Sequence, residues 1–295
     1  MERIRYDDLP ALLRAADTNS LAGQRRLLLI TRVQLTSLIA AAGLGMLSLS
    51  GWAGDAAAVL AAVAFGTALV TEVFRLKDRP DRLWYAGRAV AESAKTLTWR
   101  YMVGGAPLGI RGAGGDGADT RLLDRFREIS SDLDAGWLVP ARGSADEITT
   151  AMRRARALPL ADRRLLYLRE RLDDQRAWYA GKSRWNARRS TLWSVGLAAV
   201  ELAGLALGIA RAAGLFEVDL LGFAAALAAA GAAWVQTRQH QNLATAYGVA
   251  SHEISLIRAR ADHSVTEEEW ALFVSDAEEA ISREHTLWRA SHSGG

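Results

Sequence analysis

The run LLGFAAALAAAGAAWVQT, from Leu220 to Thr237, decides the fold, because it is long, apolar and carries no charge. A helix needs about 20 mainly apolar residues to cross a hydrocarbon core of roughly 30 Å. Three further stretches meet or approach that requirement. Val33 to Gly54 and Ala56 to Thr71 are uncharged, and Ser190 to Ala210 carries a single charge, Glu201. Lipid gives the backbone no hydrogen-bond partner, so such stretches must be helices or closed barrels. None alternates apolar and polar residues as a barrel strand does, which leaves four transmembrane helices. The overall composition, 50% hydrophobic and 23% charged, would suit a soluble protein. It is the segregation of charge along the chain that excludes one.

The spans pair into two hairpins. The first has crossings at about 33–53 and 55–74 around the turn Ser50 to Asp55, and the second has crossings at about 190–211 and 218–237 joined by Arg211 to Asp219. Connections this short permit only an antiparallel return. Both termini and the long middle therefore share one side. Arg25, Arg26 and Arg32 flank the first crossing, Arg75, Lys77, Arg79 and Arg82 the second, Lys182, Arg184, Arg188 and Arg189 the third, and Arg238 the fourth. The first turn has no lysine or arginine, and the second has only Arg211, beside Glu217 and Asp219. By the positive-inside rule the termini and the middle are cytoplasmic, with Trp52 at the outer interface and Trp185, Trp193 and Trp234 at the inner one. The formal charge of +3 is accounted for by these flanks, which serve topology and lipid headgroups and do not call for nucleic acid.

The absence of cysteine excludes disulfides and thiolate metal sites. Residues 1–32, with Glu2, Asp7, Asp8 and Asp17, do not read as a cleavable signal peptide. The expected architecture is an all-α membrane protein with a cytoplasmic helical bundle. A first hairpin unit occupies 1–117, a cytoplasmic helical connector 118–158, and a second hairpin unit 159–295.

The polar parts read as helices. Ser144-Ala-Asp-Glu147 is a capping box expected to open a short helix, and Thr266-Glu-Glu-Glu269 is one expected to open the last. In that last helix Trp270, Phe273, Val274, Ala277, Ile281 and Trp288 recur at helical spacing and form an apolar face that needs a partner. A helix from near Pro159 aligns Leu165, Leu168, Leu172, Gln175 and Tyr179 on one side and continues into the third crossing. The halves form a weak internal repeat. Each is a hairpin followed by a basic amphipathic helix, with Trp84-Tyr85 and Glu92 in the first and Tyr247 and Glu253 in the second. Gly104 to Gly117 is glycine-rich and is expected to be a flexible joint.

Gly112-Ala-Gly-Gly-Asp-Gly117 matches the dinucleotide fingerprint in letters only. No strand precedes it, and Asp116 would repel a phosphate. His240, His252, His263, His285 and His292 lack metal-ligand spacing and are expected to be solvated. No nucleophile signature appears, so no catalytic, cofactor or metal site and no enzyme activity is expected. Gly204 and Gly208 form a GxxxG pair, and Gly231 lies in the alanine-rich fourth crossing. Small residues let membrane helices approach closely, here either within the chain or between chains.

Glu201 stands near the middle of its span. A central acidic residue costs roughly 3 kcal/mol to insert, and the aliphatic neighbours return about 0.3–0.6 kcal/mol each, so the span still inserts. Glu201 then faces a water-filled path or a polar partner, or is a protonated structural glutamate. Glu72, near the cytoplasmic end of its span, stands three residues before Arg75 and within reach of it.

Tyr167 to Lys182 reads YLRERLDDQRAWYAGK, and Asn186 and Trp193 follow. This segment resembles the start of a SLATT domain, the two-transmembrane effector domain associated with SMODS nucleotidyltransferases and SLOG nucleotide sensors in bacteria. Gln175, Trp178 and Tyr179 carry the match, and Tyr247, Phe273-Val274, Glu278, Ile281, Glu284 and Trp288 fit the remainder. Trp84-Tyr85, Arg88, Ala91-Glu92-Ser93, Lys95, Trp99-Arg-Tyr101 and Pro107 resemble a second, divergent member, so the arrangement is tandem. The resemblance implies a pore-forming or membrane-disrupting effector of a bacterial conflict system. The expected location is the bacterial inner membrane, and a homo-oligomer is expected because Gly204, Gly208 and the alanine-rich fourth crossing offer close-packing faces; a nucleotide signal or a sensor protein is a candidate partner, and the trigger is left open. The alternative is a membrane-anchored sensor or interaction scaffold without a pore.

The charge asymmetry makes a direct prediction in this cysteine-free background. A cysteine placed at Gly115 should be protected from a membrane-impermeant thiol reagent in intact cells and labelled after lysis. Labelling in intact cells would invert the topology.

Overall fold

A computed structural model describes residues 3–47, 49–110, 115–131, 145–216, 218–261 and 266–292, with residues 115–116 and 283–292 by their backbone alone. Among these residues every regular element is helical: α1 (Ala11–Gly45), α2 (Trp52–Asp78), α3 (Pro80–Val103), α4 (Gly115–Ser131), α5 (Thr150–Arg156), α6 (Leu160–Tyr167), α7 (Asp174–Ala212), α8 (Leu220–Arg238), α9 (His240–Arg260) and α10 (Glu267–His292). A π-helical segment, Leu168–Asp173, fuses α6 to α7. Four helices are long and apolar enough to cross a membrane, and only 6–11% of their most apolar stretches is buried within the chain. Apolar surface of that extent does not face water, so the fold is that of an all-α membrane protein.

The hairpin turns are built by backbone chemistry. In the first hairpin α1 ends at Gly45 and α2 begins at Trp52, so the connection is 46–51 and not Ser50 to Asp55. Gly51 decides this with a φ of 64°, which glycine alone adopts without strain, and its carbonyl accepts the first amide bonds of α2 from Gly54 and Asp55. In the second hairpin Gly214 takes a φ of 76° after α7, and the Asp219 carboxylate caps α8 by accepting from the Gly222 amide at 3.1 Å.

The chain divides into two compact units. A core unit comprises Met1–Gly23, Asp81–Ser183 and Thr245–Gly295, and a span unit comprises Gln24–Pro80 and Arg184–Ala244. The core unit is built on fully buried side chains such as Ala94, Met102, Leu166, Leu172, Trp270 and Val274. The apolar face of α10 finds its partner here, since Trp270, Val274, Ala277 and Ile281 are all buried; the Trp288 side chain lies outside the described residues. Thr266 and Glu269 cap α10 reciprocally, at 3.0 and 3.2 Å.

Three expectations are corrected in this unit. The helix foreseen from Ser144 starts instead at Thr150, with Thr149 as its cap at 3.3 Å from the Met152 amide. Ser144 lies outside the described residues, and the Glu147 carboxylate caps a different helix, accepting from the Leu12 amide at 3.0 Å. Leu165 is 58% exposed and leaves the stripe assigned to it. The π segment explains this: its wider turn rotates the face beyond it, so the buried positions are Arg163, Leu166 and Tyr167 before it and Leu168, Arg171, Leu172 and Tyr179 within and after it. Finally, residues 104–110 form a packed corner and not a joint. A Cβ on Gly104 would come within 2.7 Å of the Arg163 guanidinium and one on Gly105 within 2.5 Å of Val274, and Leu108 is fully buried. Residues 111–114 lie outside the described ones.

The internal repeat has a backbone signature. α2 meets α3 at Arg79 (φ 40°), and α8 meets α9 at Gln239 (φ 49°). These left-handed non-glycine joints stand at matching places in the two halves. In each half a glycine of the helix after the hairpin touches a serine of the helix that leads into it, Gly87 on Ser20 and Gly248 on Ser183.

Within the span unit, Gly204 and Gly208 receive Ala224 and Leu221, and Gly231 receives Leu197, with an added Cβ coming within 3.0, 3.1 and 2.5 Å respectively. The small residues therefore seat α8 against α7 inside the second hairpin. Gly196 faces open space. Gly204→Leu should cost roughly 1–3 kcal/mol by overpacking, read as a lowered midpoint of thermal unfolding in nanodiscs, while Gly196→Leu should leave the midpoint unchanged. Equal effects at the two positions would contradict this packing.

Candidate functional site

The π segment aims Arg171 into the core unit, where it meets Glu278 of α10. Both side chains are essentially inaccessible, at 1% and 0% exposure. Arg171 Nε and Nη2 donate to the two carboxylate oxygens at 2.8 and 2.7 Å. Thr96 Oγ1 of α3 donates at 2.9 Å and the Tyr167 hydroxyl at 3.0 Å. Four donors thus saturate one buried carboxylate, the condition under which an ion pair withstands removal from water. Burial, and then the negative charge of Glu278, hold the Tyr167 phenol well above its ordinary pKa, so it stays a donor.

Gln175, one of the motif residues, extends this network. Its Oε1 accepts at 3.5 Å from Arg171 Nη1 and at 3.5 Å from Lys95 Nζ. Burial pulls Lys95 below its usual pKa, against the opposing pull of Glu92, and Glu92 itself lies 4.0 Å from Arg88. The other motif residues pack as aromatic pairs. Trp84 stacks on Tyr85 with ring centres 4.9 Å apart, and Trp178 meets Tyr179 and Tyr247 edge-on at 5.2 and 5.5 Å.

A second buried arginine secures the end of α3. Arg163 donates to the carbonyls of Leu158 and Val103 and pairs with Glu267, and the Trp270 indole donates to the Val103 carbonyl at 2.8 Å. The carbonyls at a helix C-terminus have no partner in their own helix, and these side chains provide it. The pairing of Arg171 with Glu278 had no local signal. Its one trace in the sequence is a charged residue on each of two otherwise apolar faces.

In the span unit, Glu72 is held by Arg75 at 2.6 and 2.9 Å and by Gln34 Nε2 of α1 at 2.9 Å. The arginine is the one foreseen; Gln34 was not. Glu201 is exposed on α7 and has no hydrogen bond or ion pair with any described residue. His240 corrects the expectation of solvated histidines: it is 3% exposed. Its Nδ1 stands 2.7 Å from Asn186 Oδ1, and since a carbonyl oxygen only accepts, Nδ1 carries the hydrogen. Burial lowers its pKa, and Arg238 and Arg189 lower it further, so the ring is neutral near pH 7. It follows the left-handed Gln239 at the start of α9 and meets the Trp185 ring edge-on, with ring centres 5.4 Å apart. Among the described residues no group of side chains could hold a metal ion.

Residues 10–164 match SMODS and SLOG-associating 2TM effector domain 3, and residues 167–288 match SMODS and SLOG-associating 2TM effector domain 1. The chain belongs to the SLATT family. It carries two SLATT domains in tandem, and SLATT effector domains are associated with bacterial conflict and defence systems. No curated protein and no solved structure matches the chain. The boundary between the matches falls just before the π segment. Thr96 and Lys95 come from the first SLATT domain and Arg171, Gln175 and Glu278 from the second, so one buried network draws on both.

Breaking that network should be more damaging than deleting it. Glu278→Leu strands Arg171 and should cost roughly 3–5 kcal/mol, as should Arg171→Met in reverse. The double variant Arg171→Met/Glu278→Leu should recover most of that loss in thermal unfolding. A double variant as unstable as the sum of the singles would show that the pair is not a self-contained unit.

Proposed function

We propose that this tandem SLATT protein is an oligomeric effector of the bacterial inner membrane that opens an ion path or damages the bilayer when triggered. The observation that carries the reading is the match to effector domains from residue 10 to residue 288, on a chain whose spans are only 6–11% buried within it. Spans so little covered by their own chain have surface left for other copies. Glu201 adds to this, since a carboxyl at mid-span with no partner among the described residues is costly against lipid and is relieved in an assembly. Gly204, Gly208 and Gly231 are spent inside the hairpin, so assembly would use other faces, the one bearing Glu201 among them. Both termini and the core unit lie on the cytoplasmic side in this reading. A nucleotide signal or a sensor protein would act there, by binding two packings of the core unit with different affinity.

Ion leakage from liposomes holding the wild type, Glu201→Gln and Glu201→Leu tests the proposal. The wild type should conduct in the presence of its trigger, and the two variants should change rate or selectivity. Variants identical to the wild type would make Glu201 structural. A wild type that never conducts, alone or with candidate nucleotides, would leave a membrane-anchored scaffold as the function.

A further inference from the structure

The ends of the spans that carry the basic residues differ in ion pairing. Around α2 two of the arginines are paired within the chain, Arg26 with Asp78 and Arg75 with Glu72 at 2.6 Å. Around α8 the arginines form no such pair among the described residues. The Arg32 and Arg238 guanidinium carbons lie 5.3 and 5.8 Å from the centre of the Trp234 ring, and that of Arg189 lies 5.4 Å from the centre of Trp185. Trp185 also meets the ring of His240, two residues beyond Arg238, edge-on with ring centres 5.4 Å apart. None of the three arginines has an ion-pair or hydrogen-bond acceptor among the described residues.

The repeat locates this difference. Six residues after the matched serines Ser20 and Ser183 stand Arg26 and Arg189, and one residue before the matched joints Arg79 and Gln239 stand Asp78 and Arg238. The second half therefore keeps the cation of the first half's ion pair and replaces the carboxylate with another cation. Like charges gathered this way, with α1 adding Arg32, call for an anion from outside the chain. A guanidinium held over an indole by cation–π attraction keeps N–H donors for a further acceptor. Forked donors from three helices suit an acceptor with several oxygens on one centre. The ends of membrane spans lie at the depth of lipid phosphates, where basic clusters between helices recognise headgroups.

We propose that Arg32, Arg189 and Arg238, carried by Trp234 and Trp185, form a binding site for a phosphate group, borne by an anionic lipid headgroup or by a soluble phosphorylated compound. The site requires no pore, so it stands or falls apart from conduction.

The test is native mass spectrometry of the full chain in neutral detergent, titrated with phosphatidylglycerol and, separately, with pyrophosphate. The wild type should bind at least one of the two about tenfold or more tightly than Arg32→Gln/Arg189→Gln/Arg238→Gln. A control, Arg25→Gln/Arg184→Gln/Arg188→Gln, removes the same charge from exposed flanking positions and should bind like the wild type. Substitution of the same three site arginines by lysine keeps the charge and guards against misfolding; it should bind between the wild type and the glutamine variant. Loss confined to phosphatidylglycerol assigns the site to lipid. Loss shared with pyrophosphate, with the two competing, assigns it to a soluble phosphate. Equal binding by the wild type and the site variant, or an equal loss in the control, would overturn the proposal.

Discussion

A peptide group that enters hydrocarbon must find its hydrogen-bond partner within its own helix, and the rest of this structure follows from that constraint. It makes the spans helical and leaves them only 6–11% buried within the chain, because lipid is as good a neighbour for leucine as another leucine is. Helix association within the span unit must then come from close approach, and Gly204, Gly208 and Gly231 provide it by admitting Ala224, Leu221 and Leu197. Polar groups in the spans are few, and each has a specific fate. Glu72 is paired with Arg75 and bonded by Gln34, whereas Glu201 has no partner among the described residues.

The core unit answers the opposite problem. It buries charge in a water-excluding interior, and that is tolerable only when every donor and acceptor is matched. Glu278 accepts from Thr96, Tyr167 and Arg171, and Arg163 fills the open end of α3. Because those groups come from both SLATT domains, the two domains share one interior here. A trigger that repacked this unit would have to break a saturated ion pair, which favours discrete states over gradual deformation.

The two halves also show what a repeat keeps and what it alters. The left-handed joints Arg79 and Gln239 and the glycine–serine contacts are kept, since they set backbone direction. Charge is altered, from the Arg26–Asp78 pair to Arg189 and Arg238, which have no acidic partner among the described residues. Backbone geometry is demanded by the fold, while the sign of a boundary charge is not.

By itself, the sequence determined whatever depends on neighbours in the chain: the four spans, the Thr266 cap, the docking face of α10, the Glu72–Arg75 pair and the SLATT motifs around Trp84 and Trp178. Periodicity, capping and hydropathy are one-dimensional properties, so they can be read along the chain. The tertiary structure decided the rest. The π segment turned Leu165 outward and Arg171 inward. Glu147 capped α1 in place of its own helix. The glycines of 104 and 105 admitted Arg163 and Val274 and formed a packed corner. His240 was buried against Asn186, and Glu278 was placed against a partner more than a hundred residues away. Each of these depends on which distant group arrives to accept a hydrogen bond or fill a space, and local spacing carries no record of that arrival.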